Sequence, residues 1–380
     1  AYYLLLQWPP YPVEGSINAI ASKETPITSH ETPATSRDPV KAIPLNENVF
    51  IDSEPSLTDL GNLASSGSSS KPIQKTEVGH RRVFSLTNDV LNIEIDAVTG
   101  RFVRADMKDI KVQKGEDESI SLFGSRLIEV EDTCPVGLGA VQKETECVGS
   151  YFASSGFYSD STYLNPNFLS IEKMTVDEGG SFFILKGENN GLYFKRRVWL
   201  KPGEYSLVVE DLVGLKSGSE PINVVPYALI VRDGYRPPGR FLDFDSYTYL
   251  GPVFSTEYDS FGKLDFSDLQ EESFERASSG GWLAVVQRYF VSSWIPEQGE
   301  KYTYQAQQIP SGVFSIALAG RNRPISEGTS ASNKNTLYVG PKISDNLNKI
   351  HPDLGLVVDY GFLWWLSEPI HKLMTWGYGF

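Results

Sequence analysis

The sequence predicts a mostly β protein built as a large antiparallel sandwich, and three observations carry that prediction. From Arg82 onward, strand-sized runs alternate apolar and polar residues at a period of two, as in Val90-Leu91-Asn92-Ile93-Glu94-Ile95. Turn signals rich in Gly, Pro and Asn separate these runs. Helical periodicity is almost absent until Gly340. The chain has 380 residues, 40% hydrophobic and 22% charged, a globular composition with length for one large domain or two ordinary ones.

In chain order, residues 1–11 predict the end of a first transmembrane helix. Ala1 to Trp8 is apolar, stops at Pro9-Pro10 and is too short to span alone, so Trp8 would sit at the membrane interface. An unstructured terminus is the competing reading. Residues 12–80 read as a disordered linker dominated by Ser, Thr, Pro, Glu and Asn, with a Gly/Ser knot from Ala64 to Ser70. Such a coil spans on the order of 45–50 Å.

Residues 81–342 form the predicted sandwich. Its runs are Val83 to Leu86, Val90 to Ile95 and, after a Thr99-Gly100 turn, Phe102-Val103. Then come Phe182 to Leu185, Leu192 to Leu200, Tyr205 to Glu210 and Val224 to Val231, with turns at Asn189-Asn190-Gly191 and Lys201-Pro202-Gly203-Glu204. The stretch Tyr247 to Asp268 is rich in aromatics and acids. Tyr247, Tyr249, Phe254, Tyr258 and Phe261 form either an exposed partner-binding patch or sheet-face packing. After Gly280-Gly281, which permits a turn or a close backbone approach, an apolar run through Val286 suits a strand covered on both faces. Trp282 and Trp294 read as core rather than ligand-stacking residues. Phe314 to Leu318 and Thr336 to Val339 are further strands.

Residues 343–376 change pattern. Ile343, Leu347 and Ile350 recur at helical spacing before Pro352, and Leu354 to Val358 reads as one last strand. Asp359 to Trp376 is then amphipathic. Phe362, Leu366, Ile370, Leu373 and Trp376 share one face, Glu368 and Lys372 pair four apart, and Pro369 kinks the segment. With Trp364 and Trp365 added, it reads either as a helix lying in the bilayer surface or as a helix packed on its own domain. With Trp8, it would bring both ends of the folded body to one membrane plane.

The net charge is -14, from 48 acidic and 34 basic residues, which argues against nucleic acid and against electrostatic adhesion to anionic lipid. Four histidines, His30, His80, His351 and His371, all fall outside the predicted strands, so histidine-based acid/base or metal chemistry in the sandwich is not expected. Neither a phosphate-cradling glycine loop nor a nucleophile elbow is present. No cofactor is expected. Cys134 and Cys147 are the sole cysteines. In an oxidising compartment they close a short loop worth about 3 kcal/mol; in a reducing one they are two small buried hydrophobes.

Three blocks resemble the YidC/Oxa1 membrane protein insertases in their long Gram-negative form: S-G-G-W-L-A-V-V-Q-R-Y-F-V-S-S-W-I-P (Ser279 to Pro296), L-Y-V-G-P-K (Leu337 to Lys342) and V-D-Y-G-F-L-W-W-L-S-E-P-I-H-K-L (Val358 to Leu373). Weaker matches are N-D-V-L-N-I-E-I, F-K-R-R-V-W-L-K-P-G-E-Y and Y-Y-L-L-L-Q-W, while Thr99-Gly100-Arg101 departs from the Gly-Gly common there. The resemblance implies a periplasmic β-supersandwich similar in fold to galactose mutarotases, followed by an interfacial helix corresponding to Asp359–Trp376. It implies insertion without enzymatic turnover, through a groove in later transmembrane helices carrying a buried arginine. No arginine of this sequence, Arg288 included, corresponds to that one. The implied partners are the lipid surface, nascent inner-membrane proteins and Sec translocon subunits. The fold resemblance also admits a carbohydrate-binding or carbohydrate-active envelope protein, but a mutarotase-type pair needs a cleft histidine that no strand supplies.

Overall fold

The computed structural model describes residues 82–111, 119–129, 139–140, 146–175, 180–234, 249–309 and 313–358. The first strands are β1 (Val83–Thr87), β2 (Leu91–Asp96), β3 (Phe102–Lys111), β4 (Ser119–Ser121), β5 (Gly124–Glu129), β6 (Gly139–Ala140), β7 (Glu146–Ser159) and β8 (Thr162–Tyr163). They are followed by β9 (Phe168–Thr175), β10 (Ser181–Asn189), β11 (Leu192–Leu200), β12 (Ser206–Leu215), β13 (Ile222–Arg232), β14 (Gly251–Ser255) and β15 (Gly262–Lys263). After a short helix α1 (Asp268–Glu271) come β16 (Phe274–Ser279), β17 (Trp282–Val286), β18 (Phe290–Pro296), β19 (Lys301–Gln308), β20 (Phe314–Ala319), β21 (Arg323–Ile325) and β22 (Ser330–Pro341). Helix α2 (Ser344–Ile350) and a 3-10 helix (Pro352–Val357) follow.

These strands build two antiparallel sheets. The thirteen-stranded sheet runs β1-β2-β3-β7-β13-β20-β19-β16, with β4, β5, β6, β8 and β21 attached at its sides. The nine-stranded sheet runs β15-β14-β17-β18-β22-β12-β11-β10-β9. The period-two pattern decides which faces are buried. Leu91, Ile93 and Ile95 of β2 are fully buried, while Asn92 and Glu94 between them are half-exposed. The inner faces meet through Trp294, whose Nε1 donates to the Leu229 carbonyl at 2.9 Å and whose ring packs edge-on against Phe102.

The turns obey local chemistry. Asn190 and Gly191 join β10 to β11 with φ of 49° and 75°, the left-handed pair that a two-residue hairpin loop requires. Gly281 has φ +95° and lies so close to the Ser255 carbonyl that an added Cβ would stand 2.1 Å from it. The apolar run after it, through Val286, is strand β17, buried at every residue, and Gln287-Arg288-Tyr289 then turn the chain into β18 beside it.

Helix α2 forms where the spacing of Ile343, Leu347 and Ile350 predicts it, with Leu347 fully buried. The expected last strand over Leu354 to Val358 is instead the 3-10 helix. Pro352 supplies a preset φ at its start, His351 Nδ1 accepts from the Asp353 N–H at 3.2 Å, and the three-residue spacing buries Leu354 and Val357 together.

Register also locates where the chain enters and leaves. Arg82 donates to the Phe168 carbonyl, and Phe168 lies opposite Gly187 beside the β10–β11 turn. Pro341, the end of β22, lies opposite Phe290, at the other end of the strands beside the β17–β18 turn. The described chain therefore enters and leaves its strands at opposite ends of the sandwich. The nine residues of β10 span that height, which at about 3.3 Å per residue is roughly 30 Å.

Candidate functional site

A recess of about 470 Å³ lies at the end where β22 leaves the sheet. Its floor is a cross-strand row of Trp199, Val208 and Thr336, brought together by the registers of β11, β12 and β22. One wall is the turn from Lys201 to Glu204, and the other is helix α2 through Asn346, Lys349 and Ile350. Trp199 stacks parallel to Phe182 at 5.5 Å, and the Lys201 ammonium lies 4.8 Å from the Trp199 ring centroid.

The phenols around this groove are held as donors. Tyr205 donates to Asp109 Oδ1 at 2.6 Å, and burial together with that carboxylate pushes its pKa well above the ordinary phenol value. Tyr338 donates to the Pro341 carbonyl at 2.6 Å, and burial raises it likewise. His351 is lowered by burial, with Asp353 opposing. The phenols are thus neutral and committed to the protein's own acceptors, an arrangement suited to binding and support rather than proton transfer. Among the described residues, no group of three His, Cys, Asp or Glu stands close enough to hold a metal ion.

A second polar feature ties the sheets together. Arg196 Nε donates to Asp211 Oδ1 at 2.6 Å with both side chains buried. Asp211 Oδ2 accepts from Ser155 Oγ at 2.5 Å, while Arg196 reaches the carbonyls of Ser155 at 2.8 Å and Gly100 at 2.5 Å. Phe102 and Phe168 flank the guanidinium. Sequence reasoning missed this cluster although a signal existed. Arg196 is in phase with buried Phe194 and Val198, and Asp211 with buried Val209 and Val213.

The aromatic patch expected around Tyr247 to Phe261 is not one surface. Phe254 is 6% exposed and packs on Phe274, Tyr249 donates inward to the carbonyls of Pro252 and Leu264, and Phe261 packs near Trp282. Tyr258, at 74%, faces solvent, and Tyr247 lies outside the described residues. The reason is that β14 is covered on both faces, so alternation exposes none of its side chains. Trp282 and Trp294 are fully buried, as core residues. Cys147 lies on β7 with its backbone opposite Ile128 and Ala140, whereas Cys134 lies outside the described residues. Trp8, Phe362, Trp364, Trp365, Leu366, Pro369, Leu373 and Trp376 also lie outside them. No helix among the described residues is long and apolar enough to cross a membrane.

Two large antiparallel sheets, closed at one end by a helix and a 3-10 turn, define a β-supersandwich domain. Residues 84–373 match the YidC periplasmic domain family, from β1 through the Trp-rich segment after Val358. The chain belongs to that family. It is 30% identical over 310 residues to the membrane protein insertase YidC of Marinomonas sp. (strain MWYL1), covering 80% of this chain and 53% of that one. It is 28% identical over 313 residues to the membrane protein insertase YidC of Pseudoalteromonas translucida (strain TAC 125), with 82% and 54% covered. The chain thus spans about half the length of the curated relatives it matches. Among solved structures, the galactose mutarotase related enzyme of Lactobacillus acidophilus is 8% identical at a TM-score of 0.37, covering 68% of this chain and 97% of that one.

Proposed function

We propose that this chain is the periplasmic region of an inner-membrane protein insertase and chaperone of a Gram-negative bacterium. It assists the insertion and folding of inner-membrane proteins, alone or with the Sec translocon, and turns over no substrate of its own. The observation that carries this reading is the family match through the sandwich and the Trp-rich segment, covering about half the length of relatives that are named as insertases. Residues 1–11 end a first transmembrane helix, 12–80 tether the sandwich, and Asp359–Trp376 lies in the bilayer surface.

The test uses the gene with the sequence that follows residue 380, expressed in a bacterium depleted of its own insertase. Insertion of a single-span reporter, read by protease protection, should recover. Failure to recover with normal expression would count against the reading, as would steady-state turnover of an aldose or glycoside by the purified chain.

A further inference from the structure

The end of the sandwich where β22 leaves the sheet carries exposed apolar side chains that the core does not use. Tyr289, at the tip of the β17–β18 hairpin, is 59% exposed, and Ile343, at the start of α2, is 45% exposed. They belong to one corner, because the Lys342 N–H donates to the Tyr289 carbonyl at 2.9 Å. The Arg288 guanidinium stands 5.2 Å from the Tyr289 ring, and Lys342 lies between the two apolar residues in the chain path. Leu356, on the 3-10 helix that packs against α2, is 49% exposed. The Trp-rich segment begins at Asp359, just past that helix.

We infer that this corner is a bilayer-contacting surface, with Tyr289 and Ile343 seated at the level of the phospholipid headgroups and the Arg82 end of the sandwich turned away. The inference rests on the reading of Asp359–Trp376 as a bilayer-surface segment and goes beyond it by orienting the sandwich. A tyrosine ring beside an arginine and a lysine is the combination that suits a membrane–water interface, where the ring enters apolar material and the cations stay among phosphates. Asp345 and Asp353 stand on the same helical elements, and the whole chain carries -14. Contact is therefore made by apolar insertion and not by a basic surface. Opposite entry and exit make a consequence unavoidable: with this corner on the membrane, the chain enters the sandwich roughly 30 Å farther out, by the length of its strands. A linker reaching on the order of 45–50 Å returns it.

The experiment uses the whole 380-residue chain with Cys134 and Cys147 replaced by serine, bearing a single cysteine labelled with an environment-sensitive nitrobenzoxadiazole dye. Label sites are Tyr289→Cys and Ile343→Cys at this corner, Val98→Cys at the other end beside Asn167, and Tyr258→Cys in the loop after β14, away from this corner. Vesicles are phosphatidylethanolamine with a minority of phosphatidylglycerol. The expected result is a blue shift and a several-fold fluorescence rise at 289 and 343, shielded from iodide, with neither change at 98 or 258. Unchanged spectra at 289 and 343 while the chain co-sediments with vesicles would overturn the orientation and leave the Trp-rich segment's role intact. A blue shift at 98 or 258 would also overturn it. Loss of co-sedimentation altogether would sink both. As a second arm, Tyr289→Ser with Ile343→Ser should weaken vesicle binding several-fold without changing the melting temperature; a lowered melting temperature with unchanged binding would mean that these side chains pack within the protein.

Discussion

Removing one partner of the Arg196–Asp211 pair tests how the two sheets are held together. Asp211→Ala leaves the Arg196 guanidinium buried, with only the carbonyls of Ser155 and Gly100 and the Ser155 hydroxyl as acceptors. The Arg196 side chain is 1% exposed, so water does not replace the carboxylate. An uncompensated buried charge of this kind costs about 3–5 kcal/mol. For a domain of this size that corresponds to a fall in melting temperature of roughly 6–20 °C, at about 2–4 °C per kcal/mol. Arg196→Met should be damaging too, since it strands the carboxylate and removes three backbone hydrogen-bond and ion-pair contacts made by one side chain. The double change Arg196→Met with Asp211→Leu removes both charges and fills the space, so it should be milder than either single change. Thermal unfolding followed by circular dichroism, with all four proteins, closes the cycle. If Asp211→Ala lowered stability by less than about 1 kcal/mol, or the double variant were worse than both singles, the picture of a buried pair whose members need each other would be refuted.

Further outcomes follow from other sites. His351 has a folded pKa below the ordinary value of 6.5 because burial disfavours its charged form. Its neutral state therefore contributes stability that is present above the unfolded pKa and is lost as pH falls through it. The melting temperature should drop more between about pH 7 and pH 5.5 in the native protein than in His351→Asn, which keeps an acceptor for the Asp353 N–H; equal slopes would reject this. Gly281→Ala forces a Cβ to 2.1 Å from the Ser255 carbonyl, whereas Gly203→Ala meets nothing within 4 Å, so denaturant unfolding should show a loss above about 2 kcal/mol for the first and about 1 kcal/mol for the second. Replacing Trp364, Trp365 and Leu366 with serine should abolish most vesicle co-sedimentation at unchanged circular dichroism, and raised salt should hardly weaken binding by the native chain. Mass spectrometry after non-reducing alkylation should find Cys134 and Cys147 bridged in protein made in the periplasm; two alkylated thiols would exclude the bridge.

The sequence by itself determined the fold class, because burial on one face of a strand demands alternation and every second residue declares it. Leu192 to Leu200 was legible residue for residue as β11, since an Asn-Gly turn stops it on one side and Lys-Pro-Gly-Glu on the other. The family was legible as well, through blocks such as Gly280 to Trp282 and Val358 to Gly361. What alternation does not contain is the identity of the neighbour across the sheet or between sheets. The sequence leaves open whether Tyr249, Phe254 and Phe261 form a surface or sheet-face packing, and only burial of both faces of β14, with Phe254 against Phe274, decides for packing. Arg196 and Asp211 sit apart in sequence on two strands, and only the β11–β12 register and the turn at Gly100 make them one buried cluster. The helical turn over Leu354 was decided by Pro352 and by a core that accepts side chains three apart. The directions of entry and exit were likewise set by tertiary structure alone. Each added antiparallel strand reverses the chain, so the end on which it emerges depends on the complete strand order, which no local pattern records.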